Sequence, residues 1–354
     1  MKKILIIVSA LLLPVLFGCA PKKAATQEGT YTYSVQKIWD EGTHAAFTSL
    51  IEFNGKYYCS FREGYSHIFD ENGNAEGHIR VLESTDGETW EPVLDKGIEG
   101  IDCRDPKLCV TPDGRIMVLF GGSLYRDRKL MSQQGYVMFS KDGRTYSEPE
   151  KIVYDPKPEN TSNWLWRVTW NGNTGYGVSY GSGDEGRTLI LYETSDGINY
   201  KHVKSFDVEG FPNETTLRFL PDGKMLMMVR YDDYDEDKDS RGVWGVADAP
   251  YTDWNLKRMG LKIGGQDFLV LDDGTILAGT RSYAIGNHCK TIILRGNLDG
   301  DFQEVFTLPS DGDTSYPGML VVGDELWMSY YSTDGVPGKA AIFLAKIPLA
   351  ALTR

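Results

Sequence analysis

The sequence has little of what metal-binding and nucleic-acid-binding proteins rely on. Its five cysteines include no Cys-x-x-Cys pair and its five histidines show no zinc-ligand spacing, so nothing calls for structural zinc, and no metal or other cofactor is expected. No basic stripe offsets the formal net charge of −13, which disfavours a protein that tracks nucleic-acid phosphates. No Pro/Ser-rich linker, composition break or low-complexity tract interrupts the chain after residue 30, so residues 31–354 read as one large β domain. The one long apolar run, Ile4 to Phe17, is too short to span a bilayer and suits the core of a signal peptide.

Lys2 and Lys3 precede that run, which closes on Leu16-Phe17-Gly18-Cys19. The ending resembles a bacterial lipobox. The resemblance implies that residues 1–18 are removed, that Cys19 is lipidated, and that residues 19–30 tether the domain to an envelope membrane, facing the periplasm or the outside. Export permits a disulfide, but Cys59, Cys103, Cys109 and Cys289 do not reveal a pairing. No obligate partner is indicated, and a monomer is expected.

What the sequence does contain is repetition. An apolar strand, a turn dipeptide and a second apolar strand recur six times, at Asn54-Gly55, Asp113-Gly114, Asn171-Gly172, Asp222-Gly223, Asp273-Gly274 and Gly323-Asp324. Successive turns lie 59, 58, 51, 51 and 50 residues apart. Asn-Gly and Asp-Gly suit the left-handed backbone of a tight hairpin. The period fits a four-stranded blade, so the chain is expected to be all-β and to close as a six-bladed β-propeller. The strand from Tyr31 to Ile38 and the terminal strand Ala341 to Ile347 can complete one blade between the two chain ends.

A second motif repeats within the first units: Ser84-Thr85-Asp86-Gly87-Glu88-Thr89-Trp90, Ser140-Lys141-Asp142-Gly143-Arg144-Thr145-Tyr146 and Thr194-Ser195-Asp196-Gly197-Ile198-Asn199-Tyr200. Asn297 to Phe302 is a degenerate copy. These resemble the Asp-box, or BNR repeat, of sialidases and related propellers. Their expected role is structural: the carboxylate accepts backbone N–H groups across the turn and the aromatic packs between strands.

In a propeller, chemistry is expected where the inner strands begin and the second strands end, around the central axis. The starts supply His44; Asp102, Arg104 and Asp105; Trp164, Trp166 and Arg167; Asn213 and Glu214; Gln266 and Asp267; Ser315 and Tyr316. The ends supply Arg62, Tyr180, Arg230, Arg281 and Tyr331. Arginines in such a ring either pair with neighbouring carboxylates or clamp an anionic ligand. The segment from Asn213-Glu214 to Arg230 resembles the sialidase segment carrying the glutamate that activates the nucleophile and an arginine of the carboxylate-binding triad. Tyr316 falls where that family has its nucleophilic tyrosine, and Arg281 is similar to another triad arginine. Arg62 matches the arginine ending the first hairpin, after which the family's acid/base Asp follows; here the choice is between His67, by spacing, and Asp70, by chemistry. The resemblance implies an exo-acting glycoside hydrolase in which Tyr316 and Glu214 form the nucleophile pair and Arg62, Arg230, Arg281, Arg104, Asp105, Arg167 and His44 bind a terminal, acidic sugar.

Two departures unsettle that substrate. His44-Ala45-Ala46-Phe47-Thr48 stands where sialidases open with Phe-Arg-Ile-Pro, and Ser329-Tyr330-Tyr331-Ser332 lacks the late glutamate that steadies the missing arginine. A glycan-binding lipoprotein with an aromatic mouth of Trp164, Trp166 and Tyr331 is therefore a second reading. A uronate-directed hydrolase or lyase using His44 or His67 is a third. Asp102, Asp105 and Asp267 could face one another around a metal, although no ligand spacing demands one.

Overall fold

The computed structural model describes residues 22–23, 31–156, 162–183, 186–207, 209–232, 239–283, 288–333 and 338–354. The apolar leader and Cys19 lie outside the described residues. Six sheets follow one another along the chain. Blade 1 is His44–Phe53, Lys56–Gly64, Gly77–Ser84 and Glu91–Lys96. Blade 2 is Asp102–Val110, Ile116–Arg126, Lys129–Ser140 and Glu150–Lys151. Blade 3 is Ser162–Asn171, Thr174–Gly183, Gly186–Thr194 and Asn199–Phe206. Blade 4 is Phe211–Phe219, Met225–Asp232, Val243–Ala247 and Asn255–Arg258. Blade 5 is Asp267–Val270, Ile276–Ser282, Lys290–Gly296 and Phe302–Thr307. Blade 6 takes Thr314–Val322, Glu325–Ser332 and Ala341–Pro348 from the C-terminal end, and its fourth strand, Ser34–Trp39, from the N-terminal end. The ring thus closes with a blade shared by both ends of the chain, as the sequence pattern predicts.

The turns form as their residues dictate. Asn54 and Gly55 both take positive φ, 51° and 72°, which only residues tolerant of the left-handed region adopt cheaply. In the Ser/Thr-x-Asp-Gly turns, Asp86 Oδ1 accepts the N–H of Glu88 and of Thr89, each at 2.8 Å. Asp142 and Asp196 repeat the arrangement on Arg144 and Thr145, and on Ile198 and Asn199. The aromatic that follows goes inside, Tyr200 completely so.

The core is divided among the seams between blades. Phe53, Ile79 and Val81 of blade 1 meet Leu108, Val118 and Phe120 of blade 2. Leu226 and Met228 of blade 4 meet Phe268 and Ile276 of blade 5, and Met319 and Met328 of blade 6 meet Leu277 and Ile293. Each fully buried side chain of this size contributes about 1.5–3 kcal/mol, so every seam supports its two neighbours. None of Cys59, Cys103, Cys109 and Cys289 is paired.

One local device positions the site. The innermost strand bulges between Ala46 and Ser49, Arg104 and Lys107, Leu165 and Val168, Pro212 and Thr215, and Ser315 and Gly318. A bulge adds a residue to one strand and re-aims its side chain. Phe47, Asp105, Ser315 and Tyr316 accordingly have φ of 68°, 52°, 94° and 51°. Blade 5 achieves a similar approach with Gly265 just before its first strand, at φ 60°.

Candidate active site

The bulges of blades 4 and 6 bring Glu214 and Tyr316 together across the axis. The Tyr316 hydroxyl donates to Glu214 Oε1 at 2.6 Å. Arg230 Nη1 donates to both carboxylate oxygens at 3.0 and 2.9 Å and to the Tyr316 oxygen at 2.8 Å, while its other nitrogens hold Asp232. The Gly265 N–H reaches Glu214 Oε2 at 3.0 Å. Burial pushes the Glu214 carboxyl up, but Arg230 and the hydrogen bonds from Tyr316, Arg230 and Gly265 outweigh it, so the group is held ionised. Burial and the Glu214 charge raise the Tyr316 phenol well above its usual value, against Arg230 and Arg281, so Tyr316 carries its proton at rest. The pair can move that proton along one short hydrogen bond.

Gly265 permits this geometry. A Cβ there would lie 2.3 Å from the Tyr316 ring, and its φ disfavours any L side chain. Gly265→Ala is expected to cost about 1–3 kcal/mol, read as a lowered Tm, and to displace Tyr316 from Glu214, read as lost activity.

Beside the pair is a cavity of about 170 Å³ lined by Phe47, His67, Arg104, Asp105, Ser123, Tyr125, Gln133, Trp164, Tyr180, Glu214 and Tyr316. Behind Tyr125, Phe69 of the loop after blade 1's second strand packs edge-on to it at 5.1 Å, and Arg128 at the tip of the blade 2 hairpin lies over Phe69. Among the described residues, Asp105 has a buried Oδ1 with no hydrogen-bond partner. Burial raises its carboxyl above the ordinary range, opposed by Lys107 and Arg104 and reinforced by Glu214. Lys107 lies beneath this floor, buried, with its ammonium 4.4 Å from the Trp166 ring and bonded to the Thr48 carbonyl at 3.1 Å. Burial and the Arg167 charge lower its pKa.

The remaining expected residues separate into those at the cavity and those behind it. His67, Arg104 and Asp105 line it. Arg62 does not: it is 0% exposed and tied to Asp102 at 2.7 Å and to the Ser66 carbonyl. Arg104 shares the same Asp102, at 3.2 Å. Arg167 is buried on Asp267 at 3.0 Å, and Arg218 bonds the other Asp267 oxygen. Arg281 is held by Asp313 at 3.0 Å, Tyr331 at 2.8 Å and the Thr314 carbonyl. His44 is buried behind the wall on Asp313. Asp70 is engaged in its own turn, accepting from the Asn74 N–H at 2.7 Å and Nδ2 at 3.1 Å, and is absent from the cavity lining. Of the aromatic mouth, only Trp164 lines the cavity; Trp166 and Tyr331 are buried. Asp102 and Asp267 each face two arginines, so they do not converge with Asp105 on a metal. Asp313, two residues before the bulge that carries Ser315, escaped the sequence reading, and its nearness to Tyr316 was the signal available.

No family model matches the sequence, and no curated protein is similar to it. Solved structures are. A protein of unknown function from Dyadobacter fermentans DSM 18053 superposes with a TM-score of 0.72 at 20% identity, over 89% of this chain and 99% of that one. Trypanosoma rangeli sialidase superposes with a TM-score of 0.66 at 10% identity, over 93% of this chain. The fold is the sialidase-type six-bladed propeller. The chain spans 58% of the trypanosomal enzyme's length. The GH93 α-L-arabinofuranosidase of Fusarium graminearum matches over nearly its whole length, 97%, with a TM-score of 0.63 at 16% identity and 89% of this chain covered. The sialidase-type propeller is thus shared by glycosidases of different substrates, and the fold alone does not choose among them.

Proposed function

We propose that this sialidase-type propeller is an exo-acting glycoside hydrolase that releases a terminal neutral sugar through a tyrosyl intermediate. The carrying observation is the Tyr316–Glu214 hydrogen bond of 2.6 Å at the wall of a cavity that Asp105 also lines. In the first step the Tyr316 oxygen attacks the anomeric carbon while its proton passes to Glu214, and Asp105 gives a proton to the departing glycosidic oxygen. Arg230, bonded to both partners, keeps the phenolic oxygen aimed and offsets the charge that grows on it. In the second step water attacks the tyrosyl-bound carbon, Asp105 takes the water's proton, and Glu214 returns its proton to Tyr316. Two displacements give a product of retained configuration.

The acidic sugar expected from the resemblance loses its basis in the arginines. Arg62, Arg104, Arg167, Arg230 and Arg281 each face a carboxylate of the chain itself. An anionic substrate would have to share these arginines with carboxylates already paired to them, and of the five only Arg104 lines the cavity. Among the structural neighbours, the arabinofuranosidase therefore offers the closer chemical guide. The cavity takes about one sugar ring, which favours action at a chain end.

The test is product analysis on purified protein with arabino-oligosaccharides, a panel of neutral aryl glycosides and aryl sialosides. Release of a single neutral monosaccharide with retained configuration is expected, and turnover of sialosides alone would overturn the reading. We also propose that Cys19 anchors the enzyme in the bacterial envelope. Cys19→Ala is expected to move the protein from the membrane pellet to the soluble fraction, and an unchanged pellet would refute the anchor.

A further inference from the structure

We propose that His44, His67 and Asp313 form a binding site for a zinc-class divalent transition-metal ion beside the central cavity. One ligand atom from each of His44, His67 and Asp313 lies within 4.8 Å of the other two, and His44 Nε2 and His67 Nδ1 are 3.1 and 2.6 Å from Asp313 Oδ2. No sequence spacing announces the trio, because it is assembled at the seam between blades 1 and 6. His44 opens the innermost strand of blade 1, His67 lies in the loop after that blade's second strand, and Asp313 precedes the innermost strand of blade 6.

The surroundings are those of an oriented site. The other oxygen of Asp313 accepts from Arg281 Nη2 at 3.0 Å and from the Tyr331 hydroxyl at 2.5 Å, which fixes the carboxylate with Oδ2 turned to the imidazoles. Hydrogen bonds of this kind, one step out from the ion, set ligand orientation in metal proteins. His44 is buried, and both its ring and that of Phe47 meet the His67 ring edge-on, at 5.4 and 5.3 Å.

Two imidazoles and one carboxylate suit zinc and its neighbours in the first transition row, and fit poorly the oxygen-rich shells of calcium and magnesium. An ion held by His44 Nε2 and His67 Nδ1 would require each neutral ring to carry its proton on the other nitrogen, which for His44 is the buried Nδ1. Three protein ligands leave at least one position open. His67 lines the cavity, so the ion would sit at its edge. The site stands on geometry independent of the proposed hydrolysis, so its test can fail while that reading survives.

The experiment uses untagged mature protein freed of metal with a chelator, titrated with Zn²⁺ by calorimetry and with Co²⁺ by visible absorption. One equivalent of Zn²⁺ and a Co²⁺ d–d band are expected. His67→Ala removes a half-exposed ligand with small risk to folding, and should weaken Zn²⁺ binding about 100-fold and abolish the band. His78→Ala, on the exposed His78–Asp95 pair, should change neither. Absence of stoichiometric binding in the parent protein, or unchanged binding in His67→Ala, overturns the proposal.

Discussion

Tyr316→Phe lowers kcat/KM by about 1,000-fold or more, while the propeller remains folded. The hydroxyl is the only atom removed. Its loss leaves Glu214 with Arg230 and the Gly265 N–H as partners, so the stability penalty is that of one hydrogen bond, about 1 kcal/mol. Glu214→Gln removes the proton acceptor and is expected to cost a similar factor. The double variant should be scarcely worse than either single one, because the two groups act as one unit. Steady-state kinetics on the best substrate, with Tm as the folding control, decides the matter. If Tyr316→Phe retains activity within about tenfold, the tyrosine is not the nucleophile, and Glu214 attacking directly becomes the simpler account.

Asp105→Asn removes the alkaline limb of the pH–rate profile and slows substrates with poor leaving groups by about 10²–10⁴. As a general acid, Asp105 works protonated. Its folded-state pKa is raised by burial and by Glu214 despite Lys107 and Arg104, so the protonated form persists above the usual carboxylate range and the rate falls as pH rises through that value. Asparagine has no such transition. Aryl glycosides with acidic leaving groups need no proton, so their first step is spared in the variant and the second becomes limiting, where azide restores turnover because it needs no base. An alkaline limb that survives in Asp105→Asn would assign it to another group lining the cavity, with His67 the first to test by the same substitution logic.

The fold was legible because its determinants are local and repeated. Six turn dipeptides at near-constant spacing, flanked by β-rich strands, define hairpins whatever surrounds them, and six such units close a ring. The Asp86, Asp142 and Asp196 turns are likewise self-contained, each carboxylate bonding N–H groups two and three residues ahead. Glu214 and Tyr316 could be picked out because each begins an inner strand and because their order follows a known pattern.

The substrate-binding assignments could not be read in the same way. An arginine's availability depends on what stands opposite it, and the opposite residue belongs to another strand or another blade. Arg62 finds Asp102, Arg167 finds Asp267, and Arg281 finds Asp313, at sequence separations that carry no signal. Asp70 and His67 are three residues apart in one loop, yet the first closes its own turn and the second reaches the cavity.

The sequence by itself determined the number of blades and the turns that build them, since periodicity survives without knowledge of contacts, and its resemblance to sialidases singled out Tyr316 and Glu214. Only the tertiary structure decided which charges are spent on one another, that Asp105 lines the cavity with one buried oxygen unpaired among the described residues, and that His44, His67 and Asp313 meet at one seam. Charge pairing, burial and ligand convergence are properties of distances between blades, and those distances exist only once the ring has closed.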